Sequence, residues 1–125
     1  MQQSQKKINK TLESSLEKML FGVLSEIGSE EEMKMVMKNL LTEGEVSALL
    51  KRLGIALYLD KGRSYEDIKN NIMVSSATIA SVAETLGESG WQEILKRVKA
   101  EEWADRWSNK ISSGIGWILP RKTVY

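Results

Sequence analysis

The stretch SYEDIKNNIMVSSATIASVAETL, from Ser64 to Leu86, constrains this chain most. It reads as two short helices separated by a tight turn. Ser64 is a natural N-cap, and Glu66 and Asp67 put negative charge in the first turn, where the helix dipole favours it. Tyr65, Ile68 and Ile72 follow at i, i+3 and i+7, so one face is apolar. Asn70 and Asn71 weaken the helix end, and Val74 can plug the corner. Ser75 offers a second cap. Ile79, Val82, Ala83 and Leu86 then repeat the helical spacing and predict a second buried face, ended by Gly87 as a left-handed residue. Two helices joined this way form a helix-turn-helix, whose second helix is a candidate reader of the DNA major groove.

The rest of the chain predicts helices as well. It has 125 residues, one of them proline, and 42% are hydrophobic, enough for one compact all-α domain. Cysteine and histidine are absent. That excludes disulfides, thiolate or imidazole metal sites and any histidine-dependent triad or pH switch, and it fits a cytoplasmic protein. No apolar run approaches the ~20 residues of a membrane span. The start, MQQSQKKINK, is basic but leads into no apolar core, so no secretory signal is expected.

Residues 5–27 predict a long amphipathic helix with Leu12, Leu16, Met19, Leu20, Val23 and Ile27 in one stripe, ended by Gly28. Ser29 and Glu32 form a capping box for a helix over 30–40 that is rich in methionine. Met33, Met35 and Met37 are adaptable fillers, expected in a core or a dimer interface rather than a promiscuous groove. Thr42 and Glu45 form a second capping box. The helix they open reaches about Lys61 and ends at Gly62. Val46, Leu49, Leu50, Leu53, Ala56, Leu57 and Leu59 cover more than half its circumference, which makes it the central helix.

After Leu86, Gly87-Glu88-Ser89-Gly90 predicts a flexible joint. A last helix over 91–111 presents Trp91, Ile94, Leu95 and Val98 on one face, but Glu101 and Glu102 stand where that stripe needs an apolar residue. Trp103, Trp107 and Ile111 begin a shifted stripe, so the helix bends or its halves pack on different surfaces. The tail, 112–125, holds Pro120 and several glycines and is not expected to be helical. Trp117, Ile118 and Leu119 can dock on a core, and Arg121 and Lys122 can meet an acidic partner or phosphate; both readings stay open. The domain is therefore read as 1–111, followed by a tail. The first two helices are amphipathic and need a partner for their apolar stripes, which predicts a homodimer with helices exchanged across a two-fold axis.

Charge is uneven. The net charge is +1, but residues 41–90 carry five cations against seven acids, and residues 91–125 carry seven against four. The segment with the reading helix is slightly acidic, although cations supply most non-specific DNA affinity.

From Leu40 to Gly87 the chain resembles the Trp repressor superfamily, and its YerC/YecD-like branch more than the tryptophan sensor. The matching residues are Leu40-Leu41-Thr42, Glu45, Ala48-Leu49 and Arg52, then Ser64-Tyr65 and Ile68, then Val74-Ser75 and Ala77-Thr78-Ile79. The resemblance implies an intertwined all-helical dimer that regulates transcription, with two reading heads about one DNA turn apart. It also implies DNA-binding roles for Ser75, Ser76, Ala77, Thr78, Ala80 and Ser81, with Lys69 on phosphate. Arg52 matches the first of two arginines that clamp tryptophan in the sensor branch. Ser81 stands at the second, and Val82 replaces a small glycine. No cofactor or small-molecule corepressor is therefore expected, and the ordinary role for Arg52 is a salt bridge to a nearby acid.

Two further departures bear on function. Met73 stands where the turn usually has glycine, so the turn is strained or built differently. The outward face of the reading helix, Ser76, Ala77, Ala80, Ser81 and Glu84, carries no arginine for a bidentate contact to guanine. Lys61, Arg63 and Lys69 are the nearby cations. The expected function is a sequence-specific, repressor-like DNA-binding protein that is not tryptophan-responsive. The alternative is a protein–protein interaction or scaffold module on the same fold. Nothing points to an enzyme.

Overall fold

The structure is a computed structural model that describes residues 7–107, with side chains as far as residue 102. The described residues form helices α1 (Lys10–Glu26), α2 (Glu30–Leu40), α3 (Glu43–Asp60), α4 (Tyr65–Ile72), α5 (Ser76–Thr85) and α6 (Ser89–Trp107), with no strand among them. The expected all-α class is what is seen. The chain falls into two compact units, Met1–Ser47 and Ala48–Tyr125.

In the first unit the caps decide where helices begin. The Asn9 side chain accepts the N–H groups of Thr11 and Leu12 at 2.9 and 3.2 Å, so α1 starts at Lys10 and not near residue 5. Ile27, in extended conformation, closes α1. Gly28 is not left-handed, because the first turn of α2 follows at once with its own cap. Ser29 provides that cap, accepting the Glu32 N–H at 3.1 Å. The Thr42–Glu45 box is complete: Glu45 donates its N–H to the Thr42 hydroxyl at 3.1 Å, and Thr42 donates its own to the Glu45 carboxylate at 2.8 Å. The Thr42 backbone N–H and hydroxyl hold the Glu45 carboxyl below its ordinary range, so the ionised form makes the cap. No residue of α1 or α2 is buried. Leu12, Leu16, Met19 and Val23 are exposed along α1, as is Phe21.

The second unit has the core. Ile55, Ala56 and Tyr58 of α3 pack with Ile68 of α4 and with Ile79 and Val82 of α5. Each fully buried isoleucine stabilises the fold by on the order of 2 kcal/mol. Ile55 and Tyr58 were not in the apolar set read for this helix, whereas Leu49 and Leu50 were and are exposed at 48% and 63%. A helix apolar nearly all round has no preferred phase, so its neighbours choose which residues are covered. Gly62, at φ 76°, ends α3 as expected. Its N–H bonds to the Leu59 carbonyl and that of Arg63 to the Tyr58 carbonyl, both at 3.0 Å, the paired closure of a Schellman motif.

α3 and α4 approach closely at Gly54. A Cβ there would lie 2.9 Å from the δ-methyl of Ile72. Ser64 caps α4 by accepting the Asp67 N–H at 3.1 Å. Ile68 is fully buried, but Tyr65, expected on the same face, is 42% exposed, since a residue in the first turn lies at the rim of so short a helix. α4 ends at Met73, which adopts the left-handed conformation (φ 63°, ψ 58°) that usually takes glycine. The Lys51 ammonium donates to the Met73 carbonyl at 3.4 Å, placing positive charge at the helix C-terminus. Val74 packs against the core at the corner, as read.

α5 ends without a left-handed residue, contrary to the reading of Gly87. Leu86 caps it in right-handed conformation. The last carbonyls are met otherwise: Glu88 donates its N–H to Thr85 at 2.9 Å, and the Gln92 amide donates to Leu86 at 2.9 Å. The joint is shorter than expected, because Ser89 and Gly90 already belong to α6. First-turn residues need no intrahelical partner for their N–H groups, so glycine is tolerated there.

The stripe of α6 does not break at its acids. Trp91, Leu95, Val98 and Glu102 share a face, and Glu102 is only 4% exposed. Lys61 reaches its carboxylate at 3.2 Å, the two side chains being 11% and 5% exposed. The second oxygen of Glu102 has no hydrogen-bond partner among the described residues. Lys99 pairs with Asp60 at 3.3 Å. The side chains of Trp103 and Trp107, together with Ile111 and the tail, lie outside the described residues.

Two stability tests follow. Met73→Gly relieves the left-handed strain and loses little packing, since Met73 is 71% exposed. It should stabilise by about 0.5–1 kcal/mol, seen as a higher urea midpoint at unchanged slope. Lys61→Met leaves Glu102 buried without its partner and should destabilise by about 2–3 kcal/mol. Adding Glu102→Leu should recover most of that loss. Equal urea midpoints for the single and double variants would contradict this account.

Candidate nucleic-acid interface

α5 buries one face and offers the other. Ile79 and Val82 are fully buried, while Ser76, Ala77, Ala80, Ser81 and Glu84 are exposed. The two sets are helical neighbours out of phase, so one short sequence both anchors the helix and presents it. The presented side chains are hydroxyls and methyls, with one carboxylate near the far end.

Ser75 and Thr78 are exposed but already bonded. The Ser75 hydroxyl accepts the Thr78 N–H at 3.2 Å and lies 3.0 Å from the Thr78 hydroxyl. They fix the start of α5, and Ser76 and Ser81 are exposed. Lys69 is exposed on α4. Its side chain makes no hydrogen bond or ion pair among the described residues.

The other cations read as neighbours are engaged. Arg63 bonds Asp67 at 2.6 Å and lies 5.4 Å from the centre of the Tyr58 ring. Burial and the nearby Asp67 carboxylate push the Tyr58 hydroxyl up from its ordinary pKa, and the Arg63 charge only partly opposes them. The Lys61 ammonium is taken by Glu102. Arg97 pairs with Glu93 at 2.7 Å. Internal pairing therefore lowers the positive charge available to phosphate below what the sequence suggests.

Arg52 differs from expectation. It makes no ion pair among the described residues; Glu102, Asp67 and Asp60 are held by Lys61, Arg63 and Lys99. It lines an open depression with Thr85, Glu88, Gly90, Trp91 and Ile94. Trp91 enters here in a role the sequence did not reveal, donating its indole N–H to the Thr85 hydroxyl at 3.2 Å. Lys51 at the Met73 carbonyl was missed too, because nothing in the local pattern relates residues 22 positions apart.

Among the described residues no group of three or more acids could hold a metal ion. No described helix is long and apolar enough to cross a membrane.

The model of the Trp repressor protein family matches residues 14–99. That span includes α2 to α5 entirely and most of α1. No curated protein and no solved structure matches the chain. The family comprises DNA-binding regulators, not enzymes. The match covers well over half of the sequence and agrees with the all-helical architecture, so the chain belongs to the Trp repressor protein family.

Proposed function

We propose that this protein is a sequence-specific DNA-binding transcriptional regulator, acting as a homodimer in the cytoplasm without a tryptophan corepressor. In this reading α4 and α5 form the helix-turn-helix. Ser76, Ala77, Ala80 and Ser81 face base edges, Ser75 and Thr78 set the tip of the reading helix, and Lys69 contacts phosphate. The observation that carries it is the exposed face of α5, whose small side chains let a helix sit deep in a major groove. Serine hydroxyls bond bases or phosphates, and alanine methyls suit thymine methyls.

The dimer rests on the first unit. α1 and α2 have no buried residue in the single chain, yet Leu12, Leu16, Met19 and Val23 keep helical spacing along α1. A second copy supplies the missing cover and spaces two reading heads. The corepressor is excluded from the proposal by residues: Ser81, where the resemblance implies a second arginine, has no guanidinium, and Val82 is buried in the core.

Two measurements test this. Sedimentation at micromolar concentration should give twice the chain mass of 14.1 kDa. A monomer would remove the spacing of the heads. Binding to duplex DNA, followed from 50 to 200 mM salt, should weaken by about 250-fold, a log–log slope of about −4. Proteins with more phosphate contacts show steeper slopes. Absence of binding even at 50 mM would favour the protein–protein module, a reading supported by the outward Glu84 and the paired cations.

A further inference from the structure

We propose that Trp91 and Gln92 of α6 are positioning residues for the reading helix: they clamp the last turn of α5 and thereby set the angle at which Ser76, Ala77, Ala80 and Ser81 meet a duplex. The inference rests on the DNA-reading function proposed above.

Four bonds converge on that turn. The Thr85 hydroxyl donates to the Val82 carbonyl at 3.4 Å, which leaves its lone pairs to accept the Trp91 indole N–H at 3.2 Å. The Gln92 amide donates to the Leu86 carbonyl at 2.9 Å. The Glu88 N–H takes the Thr85 carbonyl at 2.9 Å. The Trp91 ring packs against the cluster that includes Ile79 and Val82, so one residue holds α5 by both its apolar and its polar parts.

Thr85 lies one helical turn beyond Ser81, on the same side of α5. A tilt at Thr85 therefore passes directly to Ser81. The reading face makes this matter. Its side chains are too short to search for a partner as an arginine can. A hydroxyl or methyl displaced by about 1 Å leaves hydrogen-bond or van der Waals range. A head of small residues needs its backbone set accurately, and donors from α6 supply that setting.

The test uses the full chain as Trp91→Phe, which keeps most of the ring packing and loses the N–H, as Thr85→Val, which loses the acceptor, and as Thr85→Ser, which keeps it. Three quantities are read: melting temperature, amide exchange of residues 82–86, and the ratio of affinities for a duplex enriched from a random pool and for its scrambled form. Trp91→Phe and Thr85→Val should each lower the affinity ratio by about tenfold and speed exchange by about five- to tenfold, as expected for one lost hydrogen bond. The double variant should be no worse than either single one, and Thr85→Ser should match the parent. Gln92→Leu should lower the ratio as well. Variants that melt earlier yet discriminate like the parent would make the clamp merely structural and overturn the proposal. If the parent binds no duplex while exchange still speeds in the variants, the clamp exists but the reading function fails, and the positioning role with it.

Discussion

The arrangement of α3, α4 and α5 depends on one small contact set, in which Ile55, Ala56 and Tyr58 of α3 receive Ile68 from α4 and Ile79 and Val82 from α5. α4 has eight residues and α5 ten, too short to persist in water alone. Each exists because its buried side chains meet the same patch of a longer helix. The turn between them follows from that demand. Ile68 and Ile79 must both reach α3, and the chain between them reverses through Met73 in a conformation a methionine does not prefer. Packing overrides local preference there, and Lys51 offsets part of the cost by meeting the exposed carbonyl.

Sequence disclosed the fold where the signal is local. Ser29, Thr42, Ser64 and Ser75 were legible as caps because a hydroxyl and an N–H three residues on are set by chain geometry alone. The inward phase of Ile79 and Val82 followed from spacing. What escaped had distant partners. Glu102 looked like the end of a stripe because its partner Lys61 is 41 residues away. Trp91 read as an anchor of a packed face, and its bond to Thr85 depends on how α6 leaves α5. Gly87 and Gly90 suggested a loose joint, but neighbouring side chains and amides satisfy the carbonyls there and let α6 begin at once. The exposed face of α5 was legible from spacing, but the pairing of the cations near it was not, since Lys61 meets an acid far along the chain.

Charge and burial together give the head its character. Lys61 and Arg63, which would draw phosphate, instead hold Glu102 and Asp67. Those pairs join α3 to α6 and secure the start of α4. The same cations cannot both brace the head and attract a polyanion strongly. Under the proposed function, recognition on such a surface depends on fit, and fit depends on how firmly the short helices are held.

Gly54 shows the limit this sets on change. A helix interior ordinarily gains from exchanging glycine for alanine, by about 1 kcal/mol. Here the added methyl would meet the Ile72 side chain at 2.9 Å, on the helix just before the turn. A sequence edited for sturdier helices would thus press on the end of the Ile72 side chain, which must shift before the methyl fits. Among the described glycines, Gly54 leaves the least room for a side chain.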